Sequence, residues 1–172
     1  ISAKNRDNVF NMGALAHLLP IIAADSNSSP DAKLSAAELL TLFSEDDRYR
    51  QFFATQKDQI LPQLVENLFS ATTTSELKYY LLLLLARLID LDASVAVTWF
   101  NMGGVLALCN MLNQGEEQVT DPKMEMKKAL ALVHVLSTMV KQHPQSRAAL
   151  LESPALIASL KHNLTLSLAS SR

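Results

Sequence analysis

The chain is poor in the residues that usually announce chemistry. Four glycines, six prolines, one cysteine and one tryptophan occur among 172 residues. A single cysteine, Cys109, cannot form an internal disulfide, which removes the disulfide-stapled scaffolds and fits a reducing compartment. Fifteen Lys and Arg stand against 17 Asp and Glu, and no basic run exceeds two residues, so the basic footprint of a nucleic-acid binder is missing. The longest apolar stretch, Tyr79 to Ala86, is too short to span a bilayer, and no positively charged leader precedes it. The expectation is a soluble chain, cytoplasmic or also nuclear and not secreted, with no nucleic acid and no membrane insertion. Ile1 in place of an initiating Met suggests a piece of something longer. The sequons at Asn27 and Asn163 read as chance matches in such a chain.

Catalytic patterns are equally scarce. His17, His134, His143 and His162 share no metal-ligand spacing with one another or with Cys109, and no P-loop, dinucleotide glycine motif, HExxH or calcium loop is present. His134 lies inside an apolar helical pattern and reads as a solvent-edge or satisfied core histidine; Cys109 reads as a small core residue. No enzyme, cofactor or metal site is expected.

What the chain has is leucine at helical spacing. Leu15, Leu18, Leu19 and Ile22 mark one helix, and Ala36, Leu39, Leu40 and Phe43 the next, with no alternating strand anywhere. Ser29-Pro30-Asp31, Asp121-Pro122-Lys123 and Ser153-Pro154-Ala155 each place a capping side chain before a proline at the first helical position. Thr73 with Glu76, and Ser44 with Asp47, resemble capping boxes. Everything points to an all-α fold.

The glycines then expose a period. Residues 11–15 read NMGAL and residues 101–105 read NMGGV. Between them Leu15, Leu18 and Leu19 align with Leu61, Leu64 and Val65 at a shift of 46, and these with Val105, Leu108 and Cys109 at a shift of 44. A second helix follows each time, at Ala36 to Phe43, Leu82 to Ile89 and Val133 to Val140. The spacing of Arg6, Val9 and Gly13 recurs in Ala96, Trp99 and Gly103 and in Arg147, Leu150 and Pro154. The middle copy has Lys57-Asp58-Gln59 where glycine is expected, so a turn is predicted there without one.

Helical units repeating at about 40 to 47 residues characterise armadillo and HEAT arrays. The run Asn5-Arg6, Val9, Met12-Gly13-Ala14-Leu15, Leu18-Leu19, Ile21-Ile22 resembles the armadillo pattern across a repeat boundary, and Ala36 to Phe43 resembles that family's third helix. The resemblance implies a right-handed α-solenoid over residues 1–172, with about three full repeats and partial ones at both ends. Boundaries fall at 1–10, 11–56, 57–101, 102–152 and 153–172. It further implies a non-catalytic scaffold for another protein, of the kind found in cytoskeletal or trafficking adaptors, chaperone-associated modules and GTPase-binding domains. The alternative is an architectural segment of a larger protein that associates with a second copy of itself.

In such arrays one helix per repeat lines the binding surface, here Asp31 to Ser44, Glu76 to Asp90 and Met124 to Lys141. Where the family captures nuclear localisation peptides, this helix carries an asparagine that clamps the peptide backbone. The matching positions here are Thr41, Arg87 and Thr138, so that ladder is absent. Ala37, Glu38 and Thr41 are expected to leave a polar stripe on the first of these helices, whereas Tyr79 to Leu85 is apolar on every face. Either neighbouring repeats bury this middle helix, or Tyr80, Leu84 and Arg87 form an exposed binding patch. Asn113 to Asp121 is longer than the alignment requires and reads as a solvated or partner-contacting loop.

Overall fold

A computed structural model describes residues 3–11, 13–23, 25–113 and 121–151. Met12, the connection 114–120, the helix start at Ser153-Pro154, His162 and the second sequon lie outside the described residues. Among the described residues the chain is all-helical, without strands. The helices are α1 (Ala3–Asn11), α2 (Ala14–Ile22), α3 (Pro30–Ser44), α4 (Arg50–Phe69), α5 (Ser75–Leu91), α6 (Ala93–Asn101), α7 (Gly104–Asn113), α8 (Pro122–Gln142) and α9 (Pro144–Leu151), with a 3-10 turn at Asp47–Tyr49.

Helices α3, α5 and α8 start on short polar side chains that accept otherwise unbonded backbone amides. Ser29 Oγ accepts from Ala32 N at 3.2 Å, and Asp121 Oδ1 accepts from Lys123 N at 2.9 Å, each with proline next in sequence. The cap of α5 is Thr74, whose Oγ1 accepts from Leu77 N, rather than Thr73. No reciprocal box forms there, because the third helical residue is a leucine. Ser44 ends α3 instead of starting a helix, and Asp46 caps the 3-10 turn that follows.

Gly13 and Gly103 adopt left-handed backbone, at φ 71° and 76°, and each amide closes a tight turn on the residue three before it. An added Cβ would meet open space at both, so conformation alone selects glycine there. Helices α6 and α7 meet at 78° across the second turn. No single described helix is long and apolar enough to cross a membrane.

The turn expected at Lys57-Asp58-Gln59 does not form. Helix α4 runs unbroken from Arg50 to Phe69. With no glycine in this segment the backbone stays right-handed, and one continuous helix stands where α1–α2 and α6–α7 are each two short helices. Lys57 Nζ is bonded to Asp92, and to Ser94 Oγ at 2.9 Å, which fixes this helix against the start of α6.

Helix α5 is central. It packs on α3, α4, α6 and, most extensively, α8, while α2 lies on α3 and α7 on α8. Burial along α3, α5 and α8 follows one template. Ala36, Ala37, Leu40, Thr41, Phe43 and Ser44 are buried on α3. A shift of 45 residues gives Leu81, Leu82, Leu85, Ala86, Leu88 and Ile89, all buried, and a further 50 gives Ala131, Leu132, Val135, Leu136, Thr138 and Met139, again all buried. This register differs from the alignment of Ala36 with Leu82 and Val133 by one residue at α5 and by two at α8. The preceding helices follow suit: Leu15, Leu19 and Ile22 correspond to Ile60, Leu64 and Asn67, then to Val105, Cys109 and Leu112, at equal shifts of 45, all buried except Leu112, which is partly so. In leucine-rich helices a one-residue slip still sets leucine on leucine. It nevertheless rotates the helix by about 100°.

Asn67 occupies an apolar core position of this template and has a specific task. Its Nδ2 donates to Ile22 O at 2.7 Å, at the end of α2, and to Gln63 O at 2.8 Å. Ser26 Oγ donates to Ile21 O and Lys33 Nζ to Ala23 O, both at 2.9 Å, so three side chains satisfy consecutive carbonyls at the C-terminus of α2. Asn67→Ala is expected to cost about 1–3 kcal/mol in urea unfolding, because it orphans a buried carbonyl. A loss under about 0.5 kcal/mol would contradict this capping role.

Asp92 supplies a pH dependence. Hydrogen bonds from Lys57 and Ser94 hold its carboxyl down to about 2, while it caps α6. Its charged form is therefore favoured by folding. The resulting stabilisation is present above the ordinary carboxylate pKa and is lost as pH falls from about 4 through 2. Asp92→Asn retains a capping oxygen but removes the charge, so it should flatten the acid limb of stability over that range by about 1 kcal/mol, given partial solvent exposure. Acid titrations of both proteins at fixed urea check this.

Candidate interaction face

The shared template also places the outward side chains. On α3 these are Asp31, Ser35, Glu38 and Leu42; on α5 Glu76, Tyr80, Leu83 and Arg87; on α8 Met126, Leu130, Val133 and Ser137. Leu42, Tyr80 and Leu83 are half-buried and the others exposed. Each set recurs at i, i+4 and i+7, so it lies along one side of its helix, opposite the core.

Only two of the five residues singled out from sequence stand on this face. Arg87 is exposed, and Tyr80 is half-buried with its hydroxyl donating to Glu38 Oε1 at 3.3 Å, across to α3. Burial, then the charge of Glu38, pushes the Tyr80 phenol up. Leu84 is 0% exposed, so an exposed patch of Tyr80, Leu84 and Arg87 does not exist: the neighbouring helices bury the middle of α5. Thr41 and Thr138 are 5% and 2% exposed. Thr41 Oγ1 lies 2.8 Å from Ala37 O and 3.1 Å from Tyr80 O, joining α3 to α5. The expected polar stripe of Ala37, Glu38 and Thr41 therefore reduces to Glu38. The shift in register, one residue on α5 and two on α8, explains the errors at Thr41 and Thr138, since Thr41 corresponds to Ala86 and Leu136 rather than to Arg87 and Thr138.

Sequence reasoning passed over Met126, Leu130 and Val133. Their signal was legible only in the correct register, where apolar residues take positions that are acidic or polar on α3. Charge also changes across the row. Asp31 and Glu38 are exposed on α3, Glu76, Arg87 and Asp90 on α5, and Lys123, Lys127 and Lys141 on α8. The Lys127 ammonium sits 6.0 Å from the ring centroid of Tyr79, which defines the flank of α8 that faces α5.

Other places offer less. A cleft of about 210 Å³ between the starts of α3 and α5 is lined by hydroxyls, Lys33 and Asn67, but both of these bond the end of α2. No histidine or carboxylate lines it. Cys109 is fully buried and His134 is exposed. Among the described residues no group of three or more His, Cys, Asp or Glu could hold a metal ion.

No protein-family model, no curated protein and no solved structure matches this chain.

Proposed function

We propose that this chain is a segment of an armadillo-like α-solenoid that works, in the cytoplasm, as a non-catalytic scaffold. On this reading α3, α5 and α8 are the third helices of successive repeats, and their outward sides together hold a protein partner. The observation that carries the reading is the six-position burial template recurring at 45 and 50 residues on three adjacent helices. Stacked repeats that share one elongated core give such a recurrence, because every unit uses the same side of its helix against its neighbours. Binding would then rest on a few anchors on a preformed surface, with Tyr80 and Arg87 of the residue types enriched at hot spots.

A second reading, self-association, is favoured by Met126, Leu130 and Val133, which leave exposed apolar surface on one helix. A photo-crosslinker at position 87, compared with one at Glu66 on the exposed side of α4, separates the two in a cell extract. A monomer in sedimentation that crosslinks one partner from position 87 and not from position 66 supports the scaffold. A concentration-dependent dimer supports self-association, and equal labelling from both positions overturns the scaffold reading.

A further inference from the structure

Met126, Leu130 and Val133 are 62%, 63% and 45% exposed and succeed one another by about a turn along α8. Contiguous apolar exposure of this kind marks a surface that receives something. A further repeat stacked beyond α8 and a separate protein are the two simplest occupants, and the repeat register distinguishes them. Helix α5 has a third helix on either side, yet Glu76 and Tyr80, at the positions of Met126 and Leu130, remain exposed and half-buried. A helix added beside α8 would therefore leave Met126 in water, as α8 leaves Glu76, and would cover Leu130 only in part.

Charge selects the partner. Lys123, Lys127 and Lys141 are exposed along one flank of the stripe, while the single carboxylate of α8, Glu125, lies 2.6 Å from Lys128. A second copy placed stripe to stripe would bring lysines onto lysines if antiparallel, and onto the opposite flank of Ala129 and Val140 if parallel, so neither pairing supplies carboxylates. Resting on the scaffold reading above, we propose that α8 docks an amphipathic helix of a partner protein, apolar on one side and flanked by carboxylates. The apolar side covers Met126, Leu130 and Val133, and the carboxylates meet Lys123, Lys127 and Lys141. From Met126 to Ser137 the stripe runs about 17 Å, which accommodates three turns of such a helix.

Two fluorescent helical peptides test this on the full chain, both with a leucine face, one flanked by glutamates and the other by lysines. The glutamate peptide is expected to bind about tenfold or more tightly than the lysine peptide, and to weaken as salt rises. Leu130→Ser should lower its affinity by about tenfold with an unchanged circular dichroism spectrum, since the side chain is exposed. Lys127→Glu with Lys141→Glu should reverse the preference between peptides. Equal binding of the two, or binding of neither, overturns the proposal. So does a photo-crosslinker at position 130 that reacts only within the chain or with a second copy. The scaffold reading fails separately, through the labelling from position 87, whatever these peptides do.

Discussion

Leu84→Asp is expected to abolish cooperative folding. Leu84 is fully buried at the middle of α5, with Leu81, Leu85 and Leu88 beside it in the core. An aspartate there either remains charged without a buried partner or takes up a proton and still presents a polar group to leucines. Either outcome costs more than about 4 kcal/mol, close to the whole stability of a small domain. Leu84→Ala, which only leaves a cavity, should cost about 2–5 kcal/mol. Arg87→Ala, three residues on and exposed, should stay within about 0.5 kcal/mol. Urea unfolding of the three proteins orders them, and a Leu84→Asp protein within about 1 kcal/mol of the parent would sink the assignment of Leu84 to the core.

Gly104→Ala should destabilise the protein, against the usual helical preference for alanine. Gly104 begins α7, and a Cβ there would lie 2.1 Å from Nε1 of Trp99, which is fully buried. The indole would have to move out of a packed site, at about 1–3 kcal/mol, which outweighs the gain of about 0.5–1 kcal/mol from replacing glycine in a helix. Gly103→Ala tests a different cause. Its Cβ meets nothing, and its cost of about 1–2 kcal/mol comes from φ 76° alone. The two are separable by removing the indole: in a Trp99→Leu background the penalty of Gly104→Ala should vanish while that of Gly103→Ala persists. Trp99 is the chain's one tryptophan, so a red shift of its emission in Gly104→Ala gives an independent reading of the displaced ring. An unmoved emission maximum with undiminished stability would contradict the close approach.

Legibility in the sequence followed the range of the interactions involved. The three long helices expected at Asp31 to Ser44, Glu76 to Asp90 and Met124 to Lys141 occur at Pro30–Ser44, Ser75–Leu91 and Pro122–Gln142. Caps, prolines and apolar spacing act within one turn, so a single sequence contains them. The glycine turns at 13 and 103 are legible for the same reason, since a left-handed residue is a local demand. Asp58 misled because similarity to the other copies implied a turn, although nothing local to Lys57-Asp58-Gln59 stops a helix.

The candidate face was less legible. Thr41 and Thr138 looked available because leucine-rich helices accept neighbouring registers almost equally well, and a slip of one or two residues carries a buried position outward; Leu84 looked available because a helix apolar on every face does not show which side is covered. The role of Asn67 was not legible at all, because its partner, the carbonyl of Ile22 at the end of α2, lies 45 residues away in the chain.

By itself the sequence determined the all-helical class, the ends of the long helices and the glycine turns, all of which are decided by contacts a few residues apart. The tertiary structure alone decided how each helix is rotated about its axis. That choice buries Leu84, turns Asn67 toward Ile22 and leaves Met126, Leu130 and Val133 outside, because only packing against α3, α5 and α8 distinguishes one leucine-bearing side from the next.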